Sequence, residues 1–243
     1  MARRRCVCLS NNNTIESNKK DTDLWKCRRC GEEFEVEQGY RPVICHNLSC
    51  QNKKQFEALS GPYTYFDGKK FVPGRLGEEL KGEFNFVTME DSEEIYVYED
   101  GVYRPRGESV IRETARAKLT NQLAREHYVN ETVNHIKETT YVPREKFDET
   151  THLLAVENGL LDVKNGVLRD FDPDKLLTSK LPVKYDPDAD CPKIKEFLKE
   201  TVKPEDMPVL QEFVGYCLLK DYTFHKALML TGGGSNGKST SLT

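Results

Sequence analysis

The chain has 243 residues, of which 37% are apolar and 31% charged, and its formal net charge is −4. The high charged fraction favours several modest domains over one large core. No apolar run approaches the roughly 20 residues that cross a bilayer, and the amino-terminal MARRRCVCLSNNN lacks the apolar stretch of a secretory signal. The composition therefore argues against a membrane or secreted protein and predicts a cytoplasmic one.

Positive charge is concentrated near the amino terminus. Residues 1–60 contain 11 lysines and arginines against 8 acidic residues, whereas the rest of the chain contains 25 against 32. Within residues 1–24 the polar run SNNNTIESNKKDTD predicts a flexible tail. A basic amino-terminal module on an acidic body is one arrangement found in proteins that contact nucleic acid.

Four cysteines form two close pairs that are typical of a metal site. Cys27 and Cys30 have CxxC spacing, and Cys45 and Cys50 have CxxxxC spacing. Because tetrahedral zinc is bound by four soft ligands carried on two such turns, residues 25–60 are predicted to be a zinc ribbon. A strand with Phe34 and Val36 on one face is expected after the first pair, and a second strand is expected in RPVIC, before Cys50.

Alternatives to this ligand set remain open. His46 could replace Cys50 as a ligand, or the four cysteines could be unliganded thiols of a reducing compartment. Cys6 and Cys8 could replace one pair or bind a second ion. The segment has so few large apolar residues that a metal ion is the favoured means of stabilising it.

Residues 61–146 are predicted to be a hairpin-plus-helix region. Residues 61–82 are rich in glycine, proline and tyrosine, which indicates a loop-rich connector. Asp100-Gly101 lies between alternating apolar residues and predicts a hairpin turn. An amphipathic helix over residues 108–127 is predicted from apolar residues that recur every four positions, Ile111, Ala115, Leu119 and Leu123.

Residues 147–225 are predicted to contain a small meander followed by two helices. Three short apolar runs in LLAVENGLLDVKNGVLRDF are separated by two Asn-Gly dipeptides, which favour tight turns. Pro192 can open the first helix, and the second carries broad apolar stripes that predict a buried helix. The expected role of this acidic region is that of a scaffold, because its turns and stripes account for its residues.

Residues 226–243 carry the strongest functional motif of the chain. The apolar run at 227–230 predicts a buried strand, and it leads into GGGSNGKST, which has the GxxxxGK[ST] spacing of a P-loop. Glycines let backbone N–H groups surround the phosphates of ATP, Lys238 supplies positive charge as the catalytic cation, and the Ser239 hydroxyl can coordinate Mg²⁺. The residues predicted to contact the nucleotide are Gly232, Gly233, Gly234, Ser235, Asn236, Gly237, Lys238, Ser239 and Thr240.

The order of four segments resembles the phage, plasmid and poxvirus primase-helicase family. They are LLAVENGLLDVKNGVLRDFDP, LPVKYDPDADCPKIKEFL, LQEFVGYCLLKD and ALMLTGGGSNGKST, within residues 147–240. The resemblance implies a superfamily 3 helicase that forms a hexameric ring on single-stranded or forked DNA in a prokaryotic or virus-infected cell, with a separate primase as a further partner. The implied fold class is multidomain α+β, with a zinc ribbon, a mixed helicase amino-terminal region and the start of an AAA+ type ATPase.

Two departures from the family pattern bear on activity. Residues 1–146 show no acidic metal-binding signature of a primase, so primer synthesis is not predicted. The acidic pair, polar sensor and arginine finger of superfamily 3 would follow Thr243, so the 243 residues are expected to be an inactive fragment. Truncation is the favoured origin, and interruption of the P-loop by an intein is the alternative.

Two other functions remain open. The chain could be a zinc-ribbon nucleic-acid-binding or regulatory protein whose P-loop is vestigial, or it could belong to a P-loop ATPase of another kind. An acidic pair at the end of a strand some 40 to 50 residues downstream, as the resemblance implies, would favour the helicase.

Overall fold

The computed structural model of the protein describes residues 22–38, 40–43, 45, 47, 50, 56–221, 224–233 and 237. These residues form five α-helices and four small β-sheets, which confirms the predicted mixed α+β class. The chain divides into two compact units. The first comprises Met1–Val97 and Pro105–Val142, and the second comprises Tyr98–Arg104 and Pro143–Thr243.

The first unit begins with a three-stranded antiparallel sheet of β1 (Thr22–Cys27), β2 (Glu33–Glu37) and β3 (Phe56–Ala58), in the order β2-β1-β3. Phe34 and Val36 are both buried on one face of β2, as predicted from their alternation. The strand expected in RPVIC is absent from the described residues 40–43, where Pro42 has no N–H to donate to a sheet. The third strand instead follows the second cysteine pair, and Phe56 pairs with Cys27.

The chain after the ribbon forms three helices and a four-stranded sheet, of which the strand Val102–Arg104 belongs to the second unit. The helices are α1 (Pro73–Glu83), α2 (Gly107–Leu123) and α3 (Glu126–Thr139). The strands are β6 (Phe86–Met89), β7 (Ile95–Glu99), β8 (Val102–Arg104) and β9 (Tyr141–Val142), in the order β8-β7-β6-β9. A short 3₁₀ turn (Pro62–Tyr65) and the two-stranded pair β4 (Phe66–Asp67) and β5 (Lys70–Phe71) precede α1. One apolar core joins side chains from the helices and the sheet.

The prediction of a loop-rich connector over residues 61–82 is wrong. Most of the segment is ordered into the 3₁₀ turn, the two-stranded pair and α1, whose Leu76 and Leu80 have no exposed surface. Glycines at positions 74, 77 and 82 concealed the helix because glycine lowers helix propensity. At Gly77 the missing side chain is required, since a Cβ there would lie 2.5 Å from Cδ2 of His135 on α3.

The hairpin predicted at Asp100-Gly101 is confirmed. Both residues have positive φ, 49° and 88°, as a two-residue turn between right-twisted strands requires. The helix predicted over residues 108–127 ends instead at Leu123, and α3 starts at Glu126 after a two-residue break. The apolar stripe of α2 is buried as expected at Ile111, Ala115 and Leu119.

The second unit contains the predicted antiparallel meander. Its strands are β10 (Leu153–Val156), β11 (Gly159–Asp162) and β12 (Val167–Arg169), in that order. The first loop is Glu157-Asn158 rather than Asn158-Gly159, because Gly159 already pairs with Val156. The Asn158 side chain forms two 2.9 Å hydrogen bonds with the backbone of Tyr185. A small core of Val102, Leu153, Ala155, Leu160 and Leu177 lies against the meander.

Two helices follow the meander, α4 (Pro192–Thr201) and α5 (Met207–Cys217). Both were predicted, but the expected burial of α5 is wrong: none of its residues is buried, and Val209 and Val214 are 55% and 58% exposed. Its apolar stripe exists, but no element of the described chain buries it. The buried strand expected at 227–230 is also wrong for the described residues, which form no strand there and leave Met229 83% exposed.

An ionic contact within the second unit holds the segment that follows α5. Lys220 donates to the carboxylate of Asp148, which also accepts from the Thr178 hydroxyl and backbone N–H. The Lys220 N–H donates to the carbonyl of Thr151 at 3.2 Å. Burial opposes ionisation of Asp148, but the Lys220 and Thr178 contacts outweigh it and lower the pKa of this carboxyl.

In the described part of the chain, no helix is long and apolar enough to span a bilayer.

Candidate functional site

Four cysteine sulfurs meet at one end of the ribbon sheet. The Sγ atoms of Cys27, Cys30, Cys45 and Cys50 all lie within 4.8 Å of one another. Two of these distances are 3.8 Å, from Cys27 to Cys50, and 3.5 Å, from Cys30 to Cys45. The structure therefore brings together the four residues that the spacing predicted as ligands. His46, the alternative ligand, lies outside the described residues, as do Cys6 and Cys8.

Local backbone hydrogen bonds shape the first of the two cysteine turns. Cys27 ends β1, and its carbonyl accepts from the N–H of Gly31 at 2.8 Å. Gly31 has a φ of 76°, which glycine adopts without strain, and this lets the chain reverse into β2. In the second turn, the N–H of Cys50 donates to the carbonyl of Asn47 at 2.9 Å.

The geometry of the sulfurs fits a tetrahedral metal ion. With metal–sulfur bonds of about 2.3 Å, zinc holds its ligands about 3.8 Å apart. Disulfide sulfurs would lie only about 2.05 Å apart. Burial raises the pKa of the Cys45 thiol to about 12, so a cation is needed to hold it as a thiolate at neutral pH. A soft divalent cation bound by four thiolates satisfies both observations, and such closed sites stabilise folds rather than catalyse.

A cavity that the sequence did not indicate lies beside the ribbon. Trp25 of β1, Phe56 of β3 and Tyr63 of the 3₁₀ turn line it together with Arg28 and Arg41. These residues carry no motif, and only the fold brings them together. A CxxC turn that contains two arginines, Arg28 and Arg29, is the one sequence signal that could have drawn attention to this side of the ribbon.

The GGGSNGKST motif that predicts a P-loop lies only partly within the described residues. Gly232 and Gly233 are exposed, and Gly237 has a φ of 79°. A Cβ at Gly237 would lie 3.0 Å from both Phe197 and Thr201 of α4, so this position combines positive φ with a close approach to a helix. The other predicted nucleotide-binding residues, Gly234, Ser235, Asn236, Lys238, Ser239 and Thr240, lie outside the described residues.

A comparison with known protein families matches the part of the chain that contains α2, α3 and the meander. A family model described as "D5 N terminal like" matches residues 80–203, about half of the chain, and the chain belongs to this family. The match begins well before residue 147, where the sequence resemblance was expected to start, and it ends before the GGGSNGKST motif.

A viral relative gives a second comparison. Over 129 residues the chain is 28% identical to "Putative helicase L207/L206" of Acanthamoeba polyphaga mimivirus, a span that covers 50% of this chain and 13% of the relative. The chain thus corresponds to a small part of that protein's length. Together the two comparisons support the primase-helicase resemblance and a helicase-related amino-terminal region.

Proposed function

We propose that this chain is the amino-terminal part of an ATP-dependent DNA helicase of superfamily 3, of the primase-helicase type, acting in viral, plasmid or provirus DNA replication. The observation that carries the proposal is the order of two features. A D5 N-terminal-like region ends at residue 203, and a GxxxxGK[ST] motif begins at Gly232. A helicase-named viral relative supports the same assignment.

In this proposal the P-loop supplies the nucleotide contacts. Backbone N–H groups from Gly232 to Gly237 surround the phosphates, Lys238 offsets the charge of the outer phosphates, and the Ser239 hydroxyl orients toward Mg²⁺. The positive φ of Gly237 supports this assignment, because a P-loop needs backbone that turns its N–H groups inward. Hydrolysis also needs a group that positions water and a cation from a neighbouring subunit, so we expect these 243 residues to bind ATP without turning it over.

The other regions of the chain have roles that fit the proposed helicase function. Zinc bound by the four cysteines would stabilise residues 25–60 as a ribbon that contacts DNA. Residues 61–225, which include the matched family region 80–203, would then connect the ribbon to an ATPase domain starting near residue 226. The intact protein would assemble as a hexameric ring on single-stranded or forked DNA and cooperate with a separate primase.

Nucleotide binding by this chain tests the proposal directly. We expect a fluorescent ATP analogue to bind the 243-residue protein in a Mg²⁺-dependent manner, and Lys238→Ala to weaken binding at least about tenfold, or 1.4 kcal/mol. Lys226→Ala, which removes an exposed lysine outside the motif, serves as the matched control and should bind normally. Binding that is equally strong in Lys238→Ala would contradict the assignment.

The cysteine cluster favours a second candidate function, a zinc-ribbon nucleic-acid-binding or regulatory protein with a vestigial P-loop. The same assay separates the two. DNA binding that depends on the four cysteines, without any Mg²⁺-dependent nucleotide binding, would favour this alternative.

A further inference from the structure

The cavity beside the ribbon has the composition of a nucleobase site. It has a volume of about 100 Å³ and lies within the first unit, between the ribbon strands, the 3₁₀ turn and the start of α1. Aromatic side chains and arginines line most of it, together with the two carboxylates of Glu57 and Asp67. Ribbon residues Trp25 and Arg28 thus face the same space as Tyr63.

The aromatic side of the cavity can stack a flat ring. The rings of Trp25 and Tyr63 are 5.3 Å apart between centroids and tilted by 54°. The guanidinium of Arg41 lies 4.7 Å from the centroid of the Tyr63 ring. Proteins bind unpaired bases by stacking them on aromatic rings and on arginine planes, so both elements of such a site are present.

Trp25 supplies a hydrogen-bond donor without an acceptor among the described residues. The side chain is 4% exposed, and its indole N–H has no hydrogen-bond partner among the described residues. Buried donors are almost always paired in folded proteins. A carbonyl or phosphate oxygen of a ligand in the cavity would provide the missing acceptor.

The arginines differ in how firmly they are held. Arg75 donates to the carbonyls of Thr64 and Phe66, both at 3.0 Å, and therefore fixes the wall of the cavity. Arg28 is 3.7 Å from Glu57 in an exposed ion pair, which contributes little and is easily exchanged for a phosphate. Arg41 donates to the Gly68 carbonyl but has further N–H groups to offer.

We propose that this cavity binds one unpaired base of single-stranded nucleic acid. The base stacks against Tyr63 next to Arg41, the Trp25 indole N–H donates to it, and Arg28 contacts the adjoining phosphate. The inference deepens the proposed function by naming where the ribbon module meets the strand, and it does not depend on the P-loop. The aromatic lining favours a base, which can stack on a ring, over an acidic peptide, which cannot.

Trp25 is the single tryptophan of the chain, so its fluorescence reports on this cavity alone. We expect oligo(dT) to change the emission of the zinc-loaded 243-residue protein, with a midpoint that matches the anisotropy of a labelled oligonucleotide. A duplex of the same length should change it less, because its bases are not available for stacking. Arg41→Ala and Tyr63→Leu should each weaken binding about tenfold, whereas Tyr63→Phe should keep it.

Matched controls separate a local effect from loss of structure or charge. Arg116→Ala removes an exposed arginine of α2 that does not line the cavity, and it should leave binding unchanged. Zinc content and circular dichroism check that each variant is folded, and Arg41→Ala tests the cavity independently if Tyr63→Leu does not fold.

Three results would overturn the inference. If the labelled oligonucleotide binds while Trp25 emission and Arg41→Ala show no effect, the cavity is not the site, although DNA binding by the proposed helicase stands. If no single-stranded oligonucleotide binds, the cavity proposal fails. The helicase assignment is then tested separately by the binding of the ATP analogue. If a polyglutamate peptide changes the emission as strongly as oligo(dT), the cavity accepts acidic chains in general.

Discussion

The sulfurs of Cys27 and Cys50 lie 3.8 Å apart although the two residues are 23 positions apart in the chain. This separation equals the edge of a tetrahedral zinc–thiolate site, about 3.8 Å, and is nearly twice the length of a disulfide bond. β1 carries Cys27, and β3, which follows Cys50, pairs with β1 directly beside it. The pairing of β3 with β1 therefore places the end of the second cysteine turn beside Cys27.

Zinc removal should unfold the ribbon. We expect about one zinc per chain in the purified protein, lost on combined Cys27→Ser and Cys30→Ser substitution, because the two thiolates provide half of the coordination. Metal analysis measures the zinc, and near-ultraviolet circular dichroism of Trp25 reports the loss of packing. Cys217→Ser removes an exposed cysteine elsewhere and should retain the metal. A metal-free protein with a folded ribbon would refute this prediction.

Two glycines of α1 should respond oppositely to alanine. Gly77→Ala places a methyl group 2.5 Å from the His135 ring and should lower the free energy of unfolding by about 1–2 kcal/mol. Gly82→Ala enters open space on the same helix and should raise it by about 0.5–1 kcal/mol. Chemical denaturation of both variants measures the difference, and equal effects at the two positions would contradict the close packing of α1 and α3.

The contact between Lys220 and Asp148 should stabilise the second unit in a pH-dependent manner. Lys220→Met is expected to cost about 1–2 kcal/mol of unfolding free energy at neutral pH, whereas Lys184→Met, at an exposed lysine of the same unit, should cost little. Since the pKa of Asp148 is lower in the folded state, its contribution is complete above the unfolded pKa, about 4, and disappears as the pH falls toward the folded value. The difference between wild type and Lys220→Met should therefore shrink below about pH 4. A constant difference across that range would mean that Asp148 is not its source.

Local patterns in the sequence predicted those elements whose signal lies within a few residues. The Asp100-Gly101 turn, the meander and the start of α4 at Pro192 depend on nearest neighbours, and all three were found. The sequence did not predict α1, because Gly77 lowers its helix propensity. That glycine is needed for the packing of α1 against His135, which lies 58 residues away in the chain. The exposure of α5 could not be predicted either, since an apolar stripe does not reveal whether an element covers it.

The same distinction applies to the candidate sites. The spacing of the four cysteines predicts a metal site, and the fold brings their sulfurs together. Trp25 and Tyr63 have no shared pattern. They meet because β3 pairs with β1 and contacts the 3₁₀ turn, so their cavity could not be predicted from the sequence. Lys238 and Ser239 are known by motif alone and remain predictions.

The most direct test of the proposed helicase uses a longer chain that carries a complete ATPase domain downstream of Thr243. Unwinding of a forked duplex DNA is measured with MgATP for the wild type, for Lys238→Ala and for the control Lys226→Ala. We predict ATP-dependent unwinding by the wild type and the control, its loss in Lys238→Ala, and no ATP turnover by the 243-residue chain alone. Unwinding that persists in Lys238→Ala, or steady ATP hydrolysis by the 243 residues, would contradict the account.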